Sequence, residues 1–272
     1  MKLSALGEFG LIEKIRKSTV SPPPSVLTGI GDDAAVLKMS ATSPLLATTD
    51  MRVEGVHFDL SYTDYYSLGW KSAAVNLSDI AAMGGLPRFC LTSLGIPPNV
   101  SVEQISDFYR GLHALLRAHR TILVGGDTCS SRKDMVVSVV MLGETEKKQV
   151  ITRSRAKPGD RIFVTGTLGD SAAGMELLKS GVRSQESGVR GKKSKSEIRN
   201  PKLAPAMLKP GSAIKQLTER HLRPVPRVEW GRKIALSGCA SSMIDISDGL
   251  SSDLVHICEQ SGVGAVISSD NI

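Results

Sequence analysis

Residues 67–85 read SLGWKSAAVNLSDIAAMGG, and this stretch has the clearest structural pattern in the chain. Alanine and other small or apolar residues dominate it through Met83, which is typical of a helix packed against other elements. The Gly84-Gly85 pair predicts the end of that helix, because glycine readily adopts the backbone conformation that follows a helix C-terminus. The pattern places Asp79 inside the helix, where it either makes an ordinary cap or ion pair or binds a cation.

Strands and helices alternate on both sides of this helix, which indicates an α/β or α+β protein. Ser101 followed by Gln104 has the spacing of a capping box and predicts where the next helix begins. The other elements predicted in the first half are helices over 8–17 and 101–119 and strands over 34–38, 44–48, 89–94, 121–124 and 135–142. The Gly125-Gly126 pair is expected to break the strand that precedes it.

A second unit is predicted to begin near the turn at Lys157-Pro-Gly-Asp160. Its predicted elements are strands over 161–165, 242–246 and 263–268, a helix ending near 178, and helices over 229–235 and 249–261. We therefore expect two domains, an N-terminal one over 1–145 and a C-terminal α/β one over 150–272, with a flexible basic loop over about 181–210.

Charge and hydropathy argue against a nucleic-acid-binding protein and against a membrane-spanning one. The chain has 272 residues and a formal net charge of +7, but seven basic and two acidic residues between Lys179 and Asn200 supply +5 of that charge. This segment has no aromatic residue, so it does not favour nucleic-acid binding. No apolar run approaches the roughly 20 residues of a membrane span, and the N-terminus lacks the apolar core of a signal peptide. The expected location is the cytoplasm.

Carboxylates recur beside small residues at the ends of predicted elements. The segment Gly29-Ile-Gly-Asp-Asp-Ala-Ala-Val-Leu37 carries two adjacent acids, Asp32 and Asp33, which form either a solvated turn or a cation site. Carboxylates and hydroxyls without a histidine cluster are ligands that suit Mg²⁺ rather than zinc. The other acids in such a setting are Asp50, Asp79, Asp127, Asp245 and Asp248.

Known phosphate-binding loops are absent from the sequence. It contains neither Gly-x-x-x-x-Gly-Lys-[Ser/Thr] nor Gly-x-Gly-x-x-Gly. The segment Gly166-Thr-Leu-Gly-Asp-Ser171 is either a phosphate loop or a plain turn before a helix. Asp245 and Asp248 precede a predicted helix. We therefore expect the two carboxylates and the N-terminus of that helix to lie close together.

Taken together, six motifs in this order resemble the thiamine-monophosphate kinase family, which belongs to the superfamily of aminoimidazole ribonucleotide synthetase. The resemblance covers nearly the whole chain. It rests on residues 29–36 (GIGDDAAV), 48–58 (TTDMRVEGVHF), 76–84 (NLSDIAAMG), 125–128 (GGDT), 152–160 (TRSRAKPGD) and 244–250 (IDISDGL).

This resemblance implies ATP-dependent phosphorylation of thiamine monophosphate to thiamine diphosphate, with several Mg²⁺ ions. It implies a two-domain aminoimidazole ribonucleotide synthetase-like fold and a homodimer, in which N-terminal strands of both subunits form a β-barrel. The implied metal ligands are Asp32, Thr48, Thr49, Asp50, Asp79, Asp127, Asp245 and Asp248. The implied ATP-contacting residues are Tyr109, Gly126, Asp127, Arg153 and Ser247, the substrate-contacting residue is His57, and the catalytic residues are Asp50, Asp127 and Arg153.

Two features depart from the family. The basic loop over about 181–210 is longer than the resemblance implies, and the sequence ends at Ile272, before the family's last segment. We therefore expect a truncated C-terminal domain that exposes a sheet edge, and weakened recognition of thiamine. Two alternatives stay open at this point: another enzyme of the superfamily, such as aminoimidazole ribonucleotide synthetase, or an inactive nucleotide-binding dimer.

Overall fold

The computed structural model describes residues 24, 26–28, 32, 34–38, 44–186 and 210–268. Within them the strands are β1 (Val26–Thr28), β2 (Ala35–Lys38), β3 (Pro44–Val53), β4 (Leu86–Ile96), β5 (Ile122–Ser130) and β6 (Val136–Glu144). The helices are α1 (Tyr65–Ala82), α2 (Val102–Ala118), α3 (Asp170–Glu186), α4 (Pro210–Leu222), α5 (Val228–Ser237) and α6 (Leu250–Ser261). The predicted helix over 8–17, Asp33, residues 187–209 of the predicted basic loop and the chain end at 269–272 lie outside the described residues.

The six strands form one mixed sheet in the order β1-β2-β3-β6-β4-β5. The last strand in sequence, β6, lies in the middle and pairs antiparallel with both β3 and β4. Its residues alternate between buried and half-buried, and Val137, Val139 and Met141 are almost fully inaccessible to solvent. This alternation is the pattern of a strand whose two faces differ in burial. Helices and a mixed sheet together confirm the predicted α+β class.

Helices α1 and α2 cover the buried face of the sheet. Side chains from both helices, among them Leu77, Ile80 and Phe108, form the core with β6. The N-terminus of α2 has the predicted capping box, in which the Gln104 main-chain N–H donates to Ser101 Oγ and the Ser101 N–H donates to the Gln104 side chain. Both bonds satisfy main-chain donors that the first helical turn leaves unpaired.

Two glycines let α1 and α2 lie very close together. A Cβ atom on Gly69 of α1 would meet the Phe108 main-chain oxygen at 1.9 Å, and one on Gly111 of α2 would meet the Tyr66 main-chain oxygen at 1.9 Å. Each helix therefore presents a glycine to the main chain of the other. Any side chain at either position would force the helices apart, because the obstructing atoms are main-chain atoms that cannot rotate away.

The prediction that Gly125-Gly126 breaks a strand is wrong, because β5 continues through both residues to Ser130. The pairing of β5 with β4 shifts register at this point, so that Cys90 pairs with Leu123 whereas Leu91 pairs with Gly125. This shift is a β-bulge, a distortion that glycine accommodates without ending the strand.

The strands predicted after residue 157 do not form in the described part of the chain. Residues 161–165, 242–246 and 263–268 carry no strand assignment, and Phe163 and Val266 are 84% and 94% exposed. Apolar β-branched sequence becomes a strand only where a neighbouring strand completes the hydrogen-bond ladder, and the described residues provide none there. Helix α3 also extends to Glu186, past its predicted end near 178, and α4 was not predicted.

Candidate active site

A cleft opens beside the glycine pair of β5. It has a volume of about 350 Å³, within the range typical of small-molecule sites. We call it the β5 cleft; β4, α2 and β5 line it with Thr92, Tyr109, Leu123, Gly125, Gly126, Asp127 and Thr128. Three of the residues predicted to contact ATP are therefore brought together here, namely Tyr109, Gly126 and Asp127. Arg153 and Ser247 are not among the lining residues. The other four lining residues, Thr92, Leu123, Gly125 and Thr128, were not identified as site residues from the sequence.

The wall of the β5 cleft combines bare main chain with an aromatic ring. A Cβ atom on Gly126 would meet the Thr92 main-chain oxygen at 1.9 Å, so only glycine fits this position. Tyr109 is half-buried and lies edge-to-face with Phe108 at a ring distance of 5.3 Å. Burial raises the pKa of Tyr109, and nearby Cys90 adds to the rise, so its hydroxyl stays neutral and can donate a hydrogen bond.

Asp127 provides the negative charge of the β5 cleft. Its side chain is exposed, and Oδ1 accepts a hydrogen bond from the Thr128 main-chain N–H at 2.8 Å. That bond fixes the carboxylate while leaving it accessible to solvent. An exposed, oriented carboxylate beside a small-molecule cleft is a suitable ligand for a hydrated cation.

The predicted ligands on β3 divide between the two faces of the sheet. Thr48 and Asp50 lie on the face toward the helices, and Thr48 Oγ1 donates to Asp79 Oδ2 on α1 at 2.7 Å. Thr49 lies between them in sequence and therefore points to the opposite face, together with Met51. The structure thus brings Thr48 and Asp79 into direct contact and separates Thr49 from both.

Asp50 and Asp127 lie on strands that are three spacings apart in the sheet. Asp50 on β3 pairs with Val139 on β6, and two further strand spacings lead through Thr92 on β4 to β5. Three spacings amount to about 14 Å along the sheet. One ion, with ligands at about 2.1 Å, therefore does not bind both carboxylates directly. Burial raises the pKa of Asp50, and the neighbouring charges of Arg52 and His57 oppose the rise.

Asp32 and Arg153 are partners in the folded chain. Arg153 Nε lies 3.9 Å from Asp32 Oδ1, and the two side chains are 15% and 5% exposed. The Arg153 main-chain N–H also donates to Asp32 Oδ2 at 3.4 Å. The hydroxyls of Ser242 and Ser261 donate to the Arg153 main-chain oxygen. A predicted metal ligand and a predicted nucleotide-contacting residue thus form one anchored unit.

The turn after β3 carries His57. The His57 ring is exposed, and its Nδ1 accepts the Val53 main-chain N–H at 3.0 Å. The neutral ring therefore has its proton on Nε2, which leaves Nε2 as a hydrogen-bond donor. Arg52 is only 8% exposed, and its guanidinium donates to the His57 main-chain oxygen at 3.1 Å. This hydrogen bond holds the turn in place.

Asp253, which the sequence analysis did not identify, contacts the main chain of the predicted ATP-contacting residue Ser247. Its carboxylate, 4% exposed, accepts the main-chain N–H groups of Ser247 and Gly249, at 3.0 and 3.1 Å. Burial raises the pKa of Asp253, and these N–H donors oppose the rise. The available signal was an acid in the first turn of the helix that follows Gly249, a position where acids complement the helix dipole. Ser247 and Asp248 themselves are exposed.

A group of basic side chains lies between α1 and α4, next to Arg52. Lys71 Nζ is 3.4 Å from His221 Nε2, and His221 Nδ1 is 3.1 Å from Ser171 Oγ. Burial lowers the pKa of Lys71 to about 7, and the Arg52 charge contributes. Burial also lowers the pKa of His221 to about 4, and Lys71 contributes there. The His221 ring is therefore neutral at physiological pH.

We expect His221 to make the free energy of unfolding depend on pH. The unfolded chain protonates this histidine near its ordinary pKa of 6.5 and the folded chain only near 4. Between these values the unfolded state binds more protons, so stability falls as the pH decreases. Because the ring is half-buried, solvent screening limits the cost to about 1–2 kcal/mol. In urea unfolding at about pH 7 and about pH 4.5, His221→Gln should reduce the fall by that amount. An equal fall in both proteins would contradict this prediction.

The described residues contain no group of three or more His, Cys, Asp or Glu side chains close enough to hold a metal ion among themselves. Asp32, Asp50, Asp79 and Asp127 each lie next to a hydroxyl, a main-chain N–H or a basic side chain. Among the same residues, no helix has the length and apolar character needed to cross a bilayer.

Comparison with known proteins gives consistent matches. Residues 31–145 match the family model for the N-terminal domain of AIR synthase related proteins. The thiamine-monophosphate kinase of Bacillus subtilis is 39% identical over 262 residues, which cover 96% of this chain and 73% of the relative. The thiamine-monophosphate kinase of Aquifex aeolicus is 38% identical over 272 residues, covering 100% and 76%. The solved structure of AaThiL complexed with AMPPCP and TMP is 36% identical with a TM-score of 0.78, covering 96% of this chain and 72% of that one.

Proposed function

This chain belongs to the thiamine-monophosphate kinase family, and we propose that its β5 cleft holds the ATP from which it phosphorylates thiamine monophosphate. The activity is that of a kinase: a phosphate oxygen of thiamine monophosphate bonds to the terminal phosphorus of ATP, and ADP leaves, giving thiamine diphosphate. We assign ATP to this cleft because Tyr109, Gly126 and Asp127 all line the same cavity of about 350 Å³. The similar structure of AaThiL, which contains AMPPCP and TMP, supports both substrates.

The chemistry of the donors fits Mg²⁺. They are carboxylate and hydroxyl oxygens, and their separation suits ions that take their other ligands from water and substrate phosphates. When bound, Mg²⁺ neutralises charge on the phosphates of both substrates. Thr49, on the opposite face of β3, would serve a different ion from Thr48. The residues that would hold the ions are Asp32, Thr48, Thr49, Asp50, Asp79, Asp127, Asp245 and Asp248.

The chain's own residues have positioning and electrostatic tasks. The acceptor phosphate is already a nucleophile at neutral pH, so a strong general base is not required. His57 Nε2 offers a donor to the acceptor from a turn that Arg52 fixes. Arg153, held by Asp32, Ser242 and Ser261, would add positive charge beside the nucleotide. Asp50 on β3 and Asp127 on β5 lie three strand spacings apart, so we assign them to different phosphates.

We also propose a homodimer formed through the open face and edge of the sheet. Apolar side chains are exposed there: Met51 is 60% exposed, Phe89 44%, Ile122 60% and Val124 54%. Phe89 and Ile122 are paired neighbours on β4 and β5, so their exposure is contiguous. An apolar surface of this kind favours a second copy as its cover. Sedimentation equilibrium that gives a monomer mass at micromolar concentration would contradict the dimer.

The division into domains over 1–145 and 150–272 and the cytoplasmic location stay predictions. In support of the division, every strand of the described residues lies before Thr145. Limited proteolysis that yields a stable N-terminal fragment ending between 145 and 157 would support it further.

The test of function is a turnover assay with Mg-ATP and thiamine monophosphate, in which thiamine diphosphate is separated by chromatography and quantified. Formation of thiamine diphosphate supports the proposal. A folded protein that binds ATP but makes no thiamine diphosphate would overturn it. Activity with an aminoimidazole precursor ribonucleotide in place of thiamine monophosphate would then favour the related superfamily enzyme. Binding without turnover on either acceptor would favour an inactive nucleotide-binding dimer.

A further inference from the structure

The loop before α6 leads into a helix N-terminus that is already paired with a carboxylate of the same chain. Gly249 is the N-cap residue of α6 and has a φ of 126°. It has no side chain that could accept a hydrogen bond from the first turn. Helix N-termini with unpaired N–H groups attract phosphate, so this end would be a natural place for a nucleotide phosphate.

The buried carboxylate of Asp253 takes the place that such a phosphate would have at this helix N-terminus. One of its oxygens, Oδ2, accepts both the Ser247 N–H and the Gly249 N–H. Its own main-chain N–H donates to the Gly249 oxygen at 3.0 Å, which closes the first turn of α6. The carboxylate is buried at 4% exposure, so solvent does not replace it.

The consequence concerns which atoms the loop offers to a ligand. The N–H groups of Ser247 and Gly249 point inward to Asp253, whereas the side chains of Ser247 and Asp248 are exposed. The exposed side-chain groups that Ser247 and Asp248 offer are therefore oxygen atoms of a hydroxyl and a carboxylate. Oxygen atoms of this kind bind a hard cation, and the Asp248 carboxylate repels a bare phosphate.

We infer that Asp253 is a positioning residue that orients the loop over 245–249 toward a divalent cation and away from direct contact with phosphate. This inference rests on the proposed Mg²⁺-dependent kinase function. Asp253 acts through the loop main chain and touches neither substrate. An ordinary buried cap would contribute to stability only, whereas a positioning residue also changes the affinity of the metal.

The test compares variants of the full chain by calorimetric titration with Mn²⁺ in the presence of AMPPCP, below each variant's unfolding temperature. Asp253→Ala should weaken Mn²⁺ binding by about 10- to 100-fold, as the loss of an outer-shell partner does in metal sites. Its affinity for AMPPCP without metal should stay within about twofold of the parent, because this loop does not contact the phosphates directly. Asp253→Asn keeps an oxygen that can accept both N–H groups and should restore Mn²⁺ affinity to within about threefold of the parent.

Glu259→Gln, at the exposed C-terminal end of the same helix, is the matched control and should bind Mn²⁺ as the parent does. Parent-like Mn²⁺ affinity in a folded Asp253→Ala variant would overturn the inference. If that variant does not fold, Asp253→Glu keeps the charge but displaces it by one methylene. A tenfold loss supports positioning, and unchanged affinity refutes it. If the parent itself binds no Mn²⁺ with AMPPCP, the proposed function fails instead.

Discussion

Asp127→Asn is expected to lower kcat by about 10²–10³-fold while the fold persists. The substitution removes the negative charge from the β5 cleft but preserves the size and shape of the side chain. The exposed position has no packing to lose, and the amide oxygen of asparagine can still accept the Thr128 N–H. A neutral amide binds Mg²⁺ far more weakly than a carboxylate, so the charge between the two phosphates would stay uncompensated.

The measurement is kcat for thiamine diphosphate formation at saturating ATP and at two concentrations of Mg²⁺, together with the midpoint of urea unfolding. Glu176→Gln is the matched control, because it removes one carboxylate charge from an exposed position on α3. It should keep kcat within about twofold of the parent. If Asp127→Asn retains near-parent turnover when Mg²⁺ is saturating, Asp127 is not a ligand that the reaction needs.

Gly111→Ala is expected to lower the free energy of unfolding by roughly 3 kcal/mol. The new methyl group would lie 1.9 Å from the Tyr66 main-chain oxygen, so α1 and α2 would have to separate. Overpacking of a core against main-chain atoms cannot be relieved by a change of rotamer. Because Tyr109 lies on the same helix, the displacement should also raise the KM for ATP.

The control for Gly111→Ala is the same substitution at Gly181, which lies in α3, where a new methyl group would have no other atom within 4 Å. There alanine should raise stability by about 0.5–1 kcal/mol, since it costs less backbone entropy in a helix than glycine. Urea unfolding of both variants decides the matter. Equal and small effects at the two positions would mean that the helices tolerate separation and that the close approach is not important for stability.

The sequence predicted the N-terminal half of the fold better than the C-terminal half, and the reason is physical. The Ala-rich composition of α1, the amphipathic pattern of α2 and the apolar run of β6 are strong local signals, and the capping box marks the start of α2. The apolar segments over 161–165 and 263–268 also have the composition of strands. A strand, however, depends on a partner that is often distant in sequence, and composition does not report that partner.

For the site, the sequence identified residue types better than it identified their neighbours. Tyr109, Gly126 and Asp127, for which the resemblance implied contact with ATP, line one cleft, and their contact with ATP stays a prediction. The pairing of Asp32 with Arg153 is a contact between residues more than 100 positions apart in sequence, and the orientation of Thr49 depends on which face of β3 meets the helices; motifs alone give neither. Asp253 was missed because its role depends on two main-chain N–H groups earlier in the chain.

The position of β6 has a consequence for the order in which the protein assembles during synthesis. β6 is the last of the six strands to leave the ribosome, yet it lies between β3 and β4 and is paired with both. Until residues 136–144 are available, Asp50 and Asp127 belong to separate, unjoined pieces of sheet. Long-range pairing of this kind is slow. Until it is complete, the unpaired edges of β3 and β4 are prone to aggregation. Nascent chains stalled before residue 136 should therefore depend on chaperones, whereas chains stalled well after Glu144 should not.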